Sequence, residues 1–303
     1  MVQIPYRREM TFEYGRSDRL SPLIRRVIAN NPSAFTFHGT GTYIIGEGEV
    51  AVIDPGPDDP AHVQAILDAV KGERITHLVI THTHRDHSPA AAPLKAATGA
   101  KTYGFGPHGS GRPDAEHAGE DVEEGGDSGF VPDVRVRDGD AIRGAGWTLE
   151  AVWTPGHTSN HLCYRLAEEN VLFPGDHVMG WSTTIVSPPD GDMAAYMASL
   201  RKLAARGEAA YWPTHGPSIP QPQAFVRALI AHREAREAQI VACLKAGVGA
   251  IPAMVERMYV EVDRRLHPAA ARSVLAHLIH MVEEGRAACA DDRPRARSVY
   301  RLP

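Results

Sequence analysis

The segment THTHRDHS at residues 81–88 follows directly on the apolar run ITHLVI at 75–80. An apolar run of this length, rich in β-branched residues, predicts a buried strand. On an extended chain, side chains two positions apart point the same way, so His82 and His84 can bind one metal ion together. Three histidines and an aspartate within six residues therefore predict a metal site where this strand ends.

The second half of the same segment carries ligands with a different orientation. Ser88, followed by Pro89, is typical of the start of a helix. Asp86 and His87 would then lie on the turn between strand and helix, where they can face a second ion. Imidazole and carboxylate are ligands that zinc and similar divalent metals accept, and a single ion would not need all four side chains. The segment thus predicts a pair of metal ions.

Three more candidate ligands follow predicted strands further along the chain. His157 ends TPGH, Asp176 ends PGD and His215 lies in PTHG, each beside a glycine or proline that can turn a side chain across the edge of a sheet. Each ion would then have three protein ligands and room for a shared water, as hydrolytic centres require. The predicted ligands are His82, His84 and His157 for one ion, Asp86, His87 and His215 for the other, and Asp176 as a bridge between them.

Short β-rich runs alternate in part with helical patterns, which predicts stacked layers of sheet and helix. The predicted strands lie at 42–46, 50–56, 75–80, 101–105, 134–140, 147–153, 161–166, 170–176 and 209–216. The predicted helices of this part lie at 60–71, 88–98 and 191–206.

The composition changes near residue 222. A long amphipathic helix is predicted over 222–246 and two shorter helices over 248–260 and 267–285, and RAACA and RSVYRLP are expected to pair as a terminal hairpin. Two helices followed by a β-wing are the layout of a winged helix-turn-helix. The sequence therefore predicts two domains, a larger catalytic domain at 1–221 and a winged-helix-like domain at 222–303.

The bulk composition limits the class of protein. The chain has 303 residues, 43% of them hydrophobic, and a net charge of −5, which suffices for a sizeable core. It contains no run of about 18 apolar residues, so no membrane partner is predicted. Three cysteines, odd in number and without a short spacing, favour a reducing compartment over a disulfide framework. The first twenty residues lack the apolar region of a signal peptide, so a cytoplasmic location is expected.

Residues 104–129 are rich in glycine and contain seven acidic side chains and one arginine. This composition predicts a long surface loop. The loop is either an insertion that the fold tolerates or a lid over the metal site, and composition leaves both open.

The ordered series THTHRDH, TPGH, PGD and THG resembles the metallo-β-lactamase superfamily over roughly residues 35–220. The resemblance implies an α+β fold of four layers, an αββα sandwich. The run VAVIDPG is similar to the opening strand of that superfamily, which implies that Asp54 orients a ligand histidine; the alternative is an aspartate that caps a turn.

Two ligand positions narrow the chemistry that this resemblance implies. Asp176 stands where β-lactamases of this fold usually carry Cys or Ser, which argues against hydrolysis of antibiotics. His84 stands where the similar flavodiiron proteins carry Glu, which favours zinc over iron redox chemistry. We therefore expect two divalent ions, zinc in the first place, with manganese or iron as alternatives.

The segments GDHVMGWSTTIV, YMASLRKL and HGPSI, followed by the winged-helix-like tail, resemble the β-lactamase-like-protein-2 subgroup of that superfamily. The subgroup includes a single-strand-specific endoribonuclease. The chain differs from it in the acidic segment 104–129 and in Thr42, where such proteins often carry Asn. These differences bear on how a substrate reaches the centre.

A mechanism follows as a hypothesis: the two ions share a hydroxide, which Asp86 orients and which attacks an acyl carbon or a phosphorus atom. His161 either donates a proton to the leaving group or is a packed histidine of its strand. His177 is expected to be structural. Three further histidines, His38, His108 and His117, fall in loop sequence and could line the entrance.

Three functions remain open from the sequence: a single-strand endoribonuclease, a hydrolase of small esters, thioesters or lactones, and a non-catalytic winged-helix binder of nucleic acid. Residues 222–303 carry 13 basic and nine acidic side chains, net +4, which suits a polyanion. The acidic segment 104–129 would repel one, and the terminal helices could instead cap the larger domain or form a dimer contact. The expected partners are thus a small ester-type substrate or single-stranded RNA, and a second copy of the chain.

Overall fold

The computed structural model describes residues 3–112 and 125–303. Its strands are β1 (Ser17–Arg19), β2 (Ile24–Ile28), β3 (Gly41–Ile45), β4 (Glu49–Ile53), β5 (Arg74–Val79), β6 (Lys101–Gly104), β7 (Val134–Arg135), β8 (Ala141–Gly144), β9 (Trp147–Trp153), β10 (Leu162–Leu166), β11 (Val171–Phe173), β12 (Ala210–Tyr211), β13 (Ala288–Cys289) and β14 (Tyr300–Arg301). Its helices are α1 (Pro60–Ala69), α2 (Ala91–Thr98), α3 (Met193–Ala204), α4 (Pro222–Lys245), α5 (Ile251–Met258) and α6 (His267–Glu283).

Two sheets form the centre of the larger part of the molecule. The first has seven strands in the order β1 to β7, antiparallel from β1 to β4 and parallel from β4 to β7. The second has the order β12-β11-β10-β9-β8, antiparallel except for the parallel pair of β11 and β12. Helices cover the outer face of each sheet, which confirms the αββα sandwich.

Strand β4, with the sequence EVAVI, shows why these residues form an inner layer. Ala51 and Ile53 point between the two sheets, where they pack in a core that also holds Leu149, Tyr164 and Phe173. The alternate residues Val50 and Val52 belong to the core beneath α1 and α2. A strand covered on both faces needs apolar residues at nearly every position, because successive side chains point to opposite faces.

The first two strands of the sheet, β1 and β2, were not among the predicted strands. Their sequence signal is weak because β2 reads IRRVI, with two adjacent arginines. Arg26 is nevertheless buried, with a 3.4 Å contact to Asp18 of β1, and Arg25 pairs with Glu73 at 2.6 Å. Paired charges therefore allow a strand to form where the pattern indicates a surface segment.

The single strand predicted over 134–140 was wrong in extent. Only Val134–Arg135 is extended; Gly139 then has a φ of 81°, and the chain turns back into β8. Gly139 lies in the sequence RDGD, and aspartate and glycine are typical turn residues, so the turn was readable from the sequence.

The C-terminal part is built on the long helix α4. The side chains Ile240, Cys243 and Leu244 form a core with α5 and α6, and β13 pairs with β14 in the expected terminal hairpin. The first half of α4 packs differently: Phe225, Val226 and Leu229 lie in the core beneath the second sheet, against α3. The winged-helix layout is confirmed, whereas a domain boundary at residues 221 and 222 stays a prediction.

Among the described residues, no helix is long and apolar enough to cross a membrane.

Candidate metal centre

The ends of five strands meet at one edge of the sandwich, and each is followed by one or more predicted site residues. Asp54 follows β4, the segment 81–88 follows β5, His157 follows β9, Asp176 follows β11 and His215 follows β12. Except for His84 and Asp86, which are partly exposed, these side chains are buried. The structure thus brings together the seven predicted ligands and Asp54 from five separate stretches of sequence.

The first group of ring nitrogens is formed by three histidines. His84 Nδ1 lies 2.9 Å from His82 Nε2 and 3.1 Å from His157 Nε2. His157 is oriented from behind, because its Nδ1 donates to the carbonyl oxygen of Ile185 at 2.7 Å. Its Nε2 atom therefore faces the other two rings, as one ion with three imidazole ligands would require.

The second group combines imidazole with carboxylate. His215 Nε2 lies 3.2 Å from Asp86 Oδ2 and 3.4 Å from Asp176 Oδ1. His87 Nε2 lies 3.6 Å from a carboxylate oxygen of each of the two aspartates. The other carboxylate oxygen of Asp176 also approaches the first group, at 3.8 Å from His157 Nε2. Asp176 therefore lies between the two groups, where a bridging ligand would be.

Asp54 fixes one of these rings from outside the centre. Its φ of 47° turns the chain sharply after β4, and its carboxylate is fully buried. One oxygen accepts the backbone N–H of Thr81 at 2.8 Å; the other accepts from His87 Nδ1 at 2.9 Å and from the hydroxyls of Thr81 and Thr214. With Nδ1 held in this way, His87 presents Nε2 to the centre.

The charges of the second group are strongly coupled. Burial alone would lower the pKa of His87 and of His215, but the carboxylates beside them outweigh it and raise the pKa of His87 well above its usual value and that of His215 to about 10. Burial opposes ionisation of Asp86 and Asp176 too, yet the facing histidines hold the pKa of both carboxyls below the usual range. Two carboxylates thus face two imidazolium groups, and a divalent cation could replace the two protons.

The polar atoms that face the centre fit a metal better than they fit each other. His87 Nε2, His215 Nε2 and Asp176 Oδ1 are buried and have no well-formed hydrogen bond within the described structure. Three sets of ligand atoms each lie within 4.8 Å of one another: those of His82, His84 and His157, those of His82, His87 and Asp176, and those of Asp86, His87 and His215. Buried polar atoms without a partner are costly unless a ligand completes them.

His161 is fully buried beneath the centre, with its ring stacked against His82 at 5.1 Å between centroids. Its Nε2 accepts the backbone N–H of Asp176 at 3.2 Å, and its Nδ1 lies 3.0 Å from the hydroxyl of Thr154. Both ring nitrogens are thus engaged by protein atoms, which favours the packed-histidine alternative over a proton donor. His177 is likewise buried, against Tyr196, and burial lowers its pKa to about 3.

Both described ends of the acidic segment 104–129 are attached to the edge of the centre. Arg85 donates its backbone N–H to Gly125 at 2.9 Å, and the backbone N–H of Asp127 donates to Thr83 at 2.7 Å. At the other end, His108 Nδ1 lies 2.9 Å from the Thr83 hydroxyl. Whether the segment is a tolerated insertion or a lid over the metal site depends mostly on residues 113–124. These residues, His117 among them, lie outside the described residues.

Sequence reasoning did not single out the contacts around Asp190. Arg112 pairs with this buried carboxylate at 2.8 Å, and the backbone N–H of Ser159 donates to it at 3.1 Å. These residues are far apart in the chain and belong to loops, so no periodic pattern could have linked them. Of the histidines expected near the entrance, His108 has its ring 6.2 Å from that of His84, and His38 lies beside Phe37.

Two family models match the chain. One, described as the metallo-beta-lactamase superfamily, matches residues 36–215. The other, described as the beta-lactamase associated winged helix domain, matches residues 250–296.

The similar curated proteins include a lactamase-like protein of Penicillium aethiopicum, 29% identical over 282 residues, which cover 88% of this chain and 83% of that protein. An atrochrysone carboxyl ACP thioesterase of Paecilomyces divaricatus is 34% identical over 235 residues, which cover 75% of this chain and 66% of that protein. Among solved structures, a beta-lactamase domain protein from Burkholderia ambifaria matches with a TM-score of 0.77 at 22% identity. The match covers 97% of this chain and 96% of that protein's chain. At that identity the likeness shows a shared fold.

Proposed function

Because the chain belongs to the metallo-beta-lactamase superfamily and is a hydrolase, we propose that it hydrolyses a small-molecule thioester or ester at a centre of two divalent metal ions. The observation that carries the proposal is the pair of ligand groups joined by Asp176. Each group offers three protein ligands from the set His82, His84, His157, Asp86, His87 and His215. With Asp176 shared between the groups, each ion would have four protein ligands, and substrate or water would bind at an additional position.

The side chains favour zinc, since five imidazoles and two carboxylates match its preference for nitrogen and oxygen ligands. When bound, such ions supply Lewis acidity to a carbonyl oxygen and lower the pKa of water toward about 7. Manganese and iron remain alternatives to be separated by metal analysis.

The protein's own groups have distinct roles in this proposal. Asp86, whose side chain is 28% exposed, is the carboxylate that can accept the proton of the attacking water. In hydrolysis the water oxygen bonds to the acyl carbon, the bond from that carbon to sulfur or oxygen breaks, and the leaving group departs with a proton. His161 is a positioning residue, because its Nε2 holds the backbone of Asp176.

Three relatives favour a thioester or ester over single-stranded RNA. Each is named as an atrochrysone carboxyl ACP thioesterase, at 30–34% identity. A non-catalytic nucleic-acid binder would leave the ligand set without use.

The test is metal analysis of the purified protein combined with turnover of a panel of thioesters, esters and lactones and of labelled single-stranded RNA. We expect two equivalents of metal, loss of turnover on chelation and thioester or ester hydrolysis. His84→Ala should lose at least one equivalent and lower kcat/KM by about 100-fold or more. His280→Ala, a partly exposed histidine on α6, is the matched control.

Two results contradict the proposal. If His84→Ala keeps two ions and full activity, the ligand assignment is wrong. If the metal-loaded protein cleaves RNA and leaves every acyl substrate intact, the substrate class is wrong while the centre stands.

A further inference from the structure

An aromatic pair packs against the segment that carries His215. The rings of Phe37 and Trp181 are stacked, with 4.8 Å between centroids and an angle of 17° between planes. Both side chains are only partly buried. They come from loops 144 positions apart, one before β3 and one after Asp176, so this contact exists only in the folded chain.

Each member of the pair is attached to the segment that carries His215. Trp181 covers Gly216, the next residue, so closely that a Cβ there would lie 2.8 Å from the indole ring. Phe37 stands two residues before Gly39, whose carbonyl oxygen accepts from His215 Nδ1 at 3.1 Å. The pair thus forms a wall that is held in register with a predicted metal ligand.

The backbone of Phe37 has a strained conformation that places its ring in this position. Its φ of 59° lies in the left-handed region, which is unfavourable for a non-glycine residue. The turn that imposes it is closed by a hydrogen bond from the Phe37 N–H to Ser33 at 3.1 Å and by the bond between the Ser33 and Thr36 hydroxyls. A strained turn that leaves an aromatic ring half exposed is poorly explained by core packing, whereas strain of this kind is common where a residue contacts a ligand.

The chemistry of the wall is apolar and flat. His38 packs against Phe37 at 3.9 Å between centroids, and Phe12 lies 5.1 Å from His38, so ring faces and edges continue outward from the stacked pair. The Trp181 N–H has no hydrogen-bond partner in the described structure, so stacking rather than a polar anchor holds the indole. Offset stacking on such faces stabilises a planar ring beyond the effect of its buried area.

We propose that Phe37 and Trp181 form the acyl subsite of the enzyme and that it takes an acyl group carrying a planar aromatic ring. The subsite rests on the proposed acyl hydrolysis and adds the class of acyl group. A nucleobase would also stack, so the test includes cleavage of single-stranded RNA.

The experiment compares two thioesters of the same thiol, N-acetylcysteamine, one with a 2-naphthoyl and one with an acetyl group. For the full-length, metal-loaded protein we expect kcat/KM to favour naphthoyl. Trp181→Leu should lower the naphthoyl-to-acetyl ratio about tenfold, mainly through KM, since one ring contact is lost. Phe37→Leu, which keeps an apolar side chain on the strained turn, should lower the same ratio. Phe35→Leu, a phenylalanine of the same loop that is 53% exposed, is the matched control and should keep the ratio.

The outcomes separate the subsite from the function. If both thioesters are hydrolysed but the ratio is unchanged in Trp181→Leu and Phe37→Leu, the subsite is refuted and the acyl hydrolase stands. If neither thioester is hydrolysed, binding of 2-naphthoate is measured by the quenching of tryptophan fluorescence. Weaker binding to Phe37→Leu than to Phe35→Leu supports the subsite, and equal binding refutes it. Loss of RNA cleavage in Trp181→Leu, with acyl hydrolysis unchanged, would assign the wall to a nucleobase and would also refute the acyl subsite.

Discussion

At the scale of single residues, Thr42 shows how the surroundings of the centre are built. Its hydroxyl donates to the backbone carbonyl of Asp54 at 2.7 Å and lies 2.8 Å from His62 Nε2, which must then carry the proton. Thr42 is therefore linked to a buried histidine on α1. The chain of contacts continues through Asp54 to His87, so the left-handed turn at Asp54 is held from both sides.

His62 makes the stability of the protein depend on pH. Burial lowers the pKa of His62 from its usual 6.5 to about 4. Because the folded state favours the neutral ring, its contribution is fully present above pH 6.5 and is lost as the pH falls toward 4. A difference of this size corresponds to about 3 kcal/mol. We therefore expect His62→Gln to flatten the fall in unfolding free energy between pH 6.5 and 4, measured by urea denaturation of the metal-free protein.

The matched comparison is Thr42→Val. Both substitutions disturb the same hydrogen bond, but only His62→Gln removes the group that takes up a proton. Thr42→Val should therefore lower the unfolding free energy without flattening its dependence on pH. Equal slopes for His62→Gln and the unchanged protein would refute the assignment of this acid sensitivity to His62.

At the scale of elements, α4 is connected to the loop that carries Asp176. Arg233 of α4 is 3% exposed, donates to the carbonyl oxygen of Thr184 and lies over the ring of Tyr196. The Thr184 hydroxyl in turn donates to the carbonyl oxygen of Asp176 at 2.5 Å. A residue of the long helix thus positions the backbone of a predicted bridging ligand.

We expect Arg233→Met to lower the unfolding free energy by about 1–3 kcal/mol, because a buried carbonyl loses a charged donor. It should also lower kcat/KM, because the loop that Arg233 holds carries both Asp176 and Trp181. Arg227→Met, an exposed position on the same helix, is the control. Denaturation and steady-state kinetics measure both effects, and a variant as stable and active as the control would contradict the connection.

The elements also show which parts of the fold a sequence can predict. Strands β4 and β5 and helix α4 were predicted because long apolar runs or a helical period, with clear turn residues, define them locally. Strand β2 was missed because Arg25 and Arg26 look like surface residues until Glu73 and Asp18 are placed beside them by the fold. His157 and His215 lie next to glycine at strand ends, and the other ligand histidines lie in the single segment THTHRDHS, so their positions were readable; that they bind metal stays a prediction.

At the scale of the whole molecule, α4 belongs to two cores. Its first half packs with α3 through Phe225, Val226 and Leu229, and its second half packs with α5 and α6 through Ile240 and Leu244. We therefore propose that the division between the two units falls within α4 rather than at residue 222. The contact of Phe37 with Trp181 could not be predicted from the sequence either, because contacts between distant loops leave no local signal in it.

Two shortened chains test this division. A chain ending at residue 221 loses three buried apolar side chains from the core of the first unit, each worth about 1.5–3 kcal/mol, against a total stability of about 5–15 kcal/mol. We expect it to aggregate or to melt far below the full chain. A chain ending at Gln239 keeps Arg233 and the first half of α4, and should fold and bind metal. Equal stability of the two would show that the division lies at residue 222.

Hydrogen bonds hold both described ends of the acidic segment to the rest of the protein. Ser88 donates its hydroxyl to Asp127 at 2.6 Å, and the backbone N–H of Gly111 donates to the Ser159 hydroxyl at 3.3 Å. Since both ends are tied down within a few residues of the ligands, the number of residues between them can change over evolution without disturbing the spacing of the catalytic side chains.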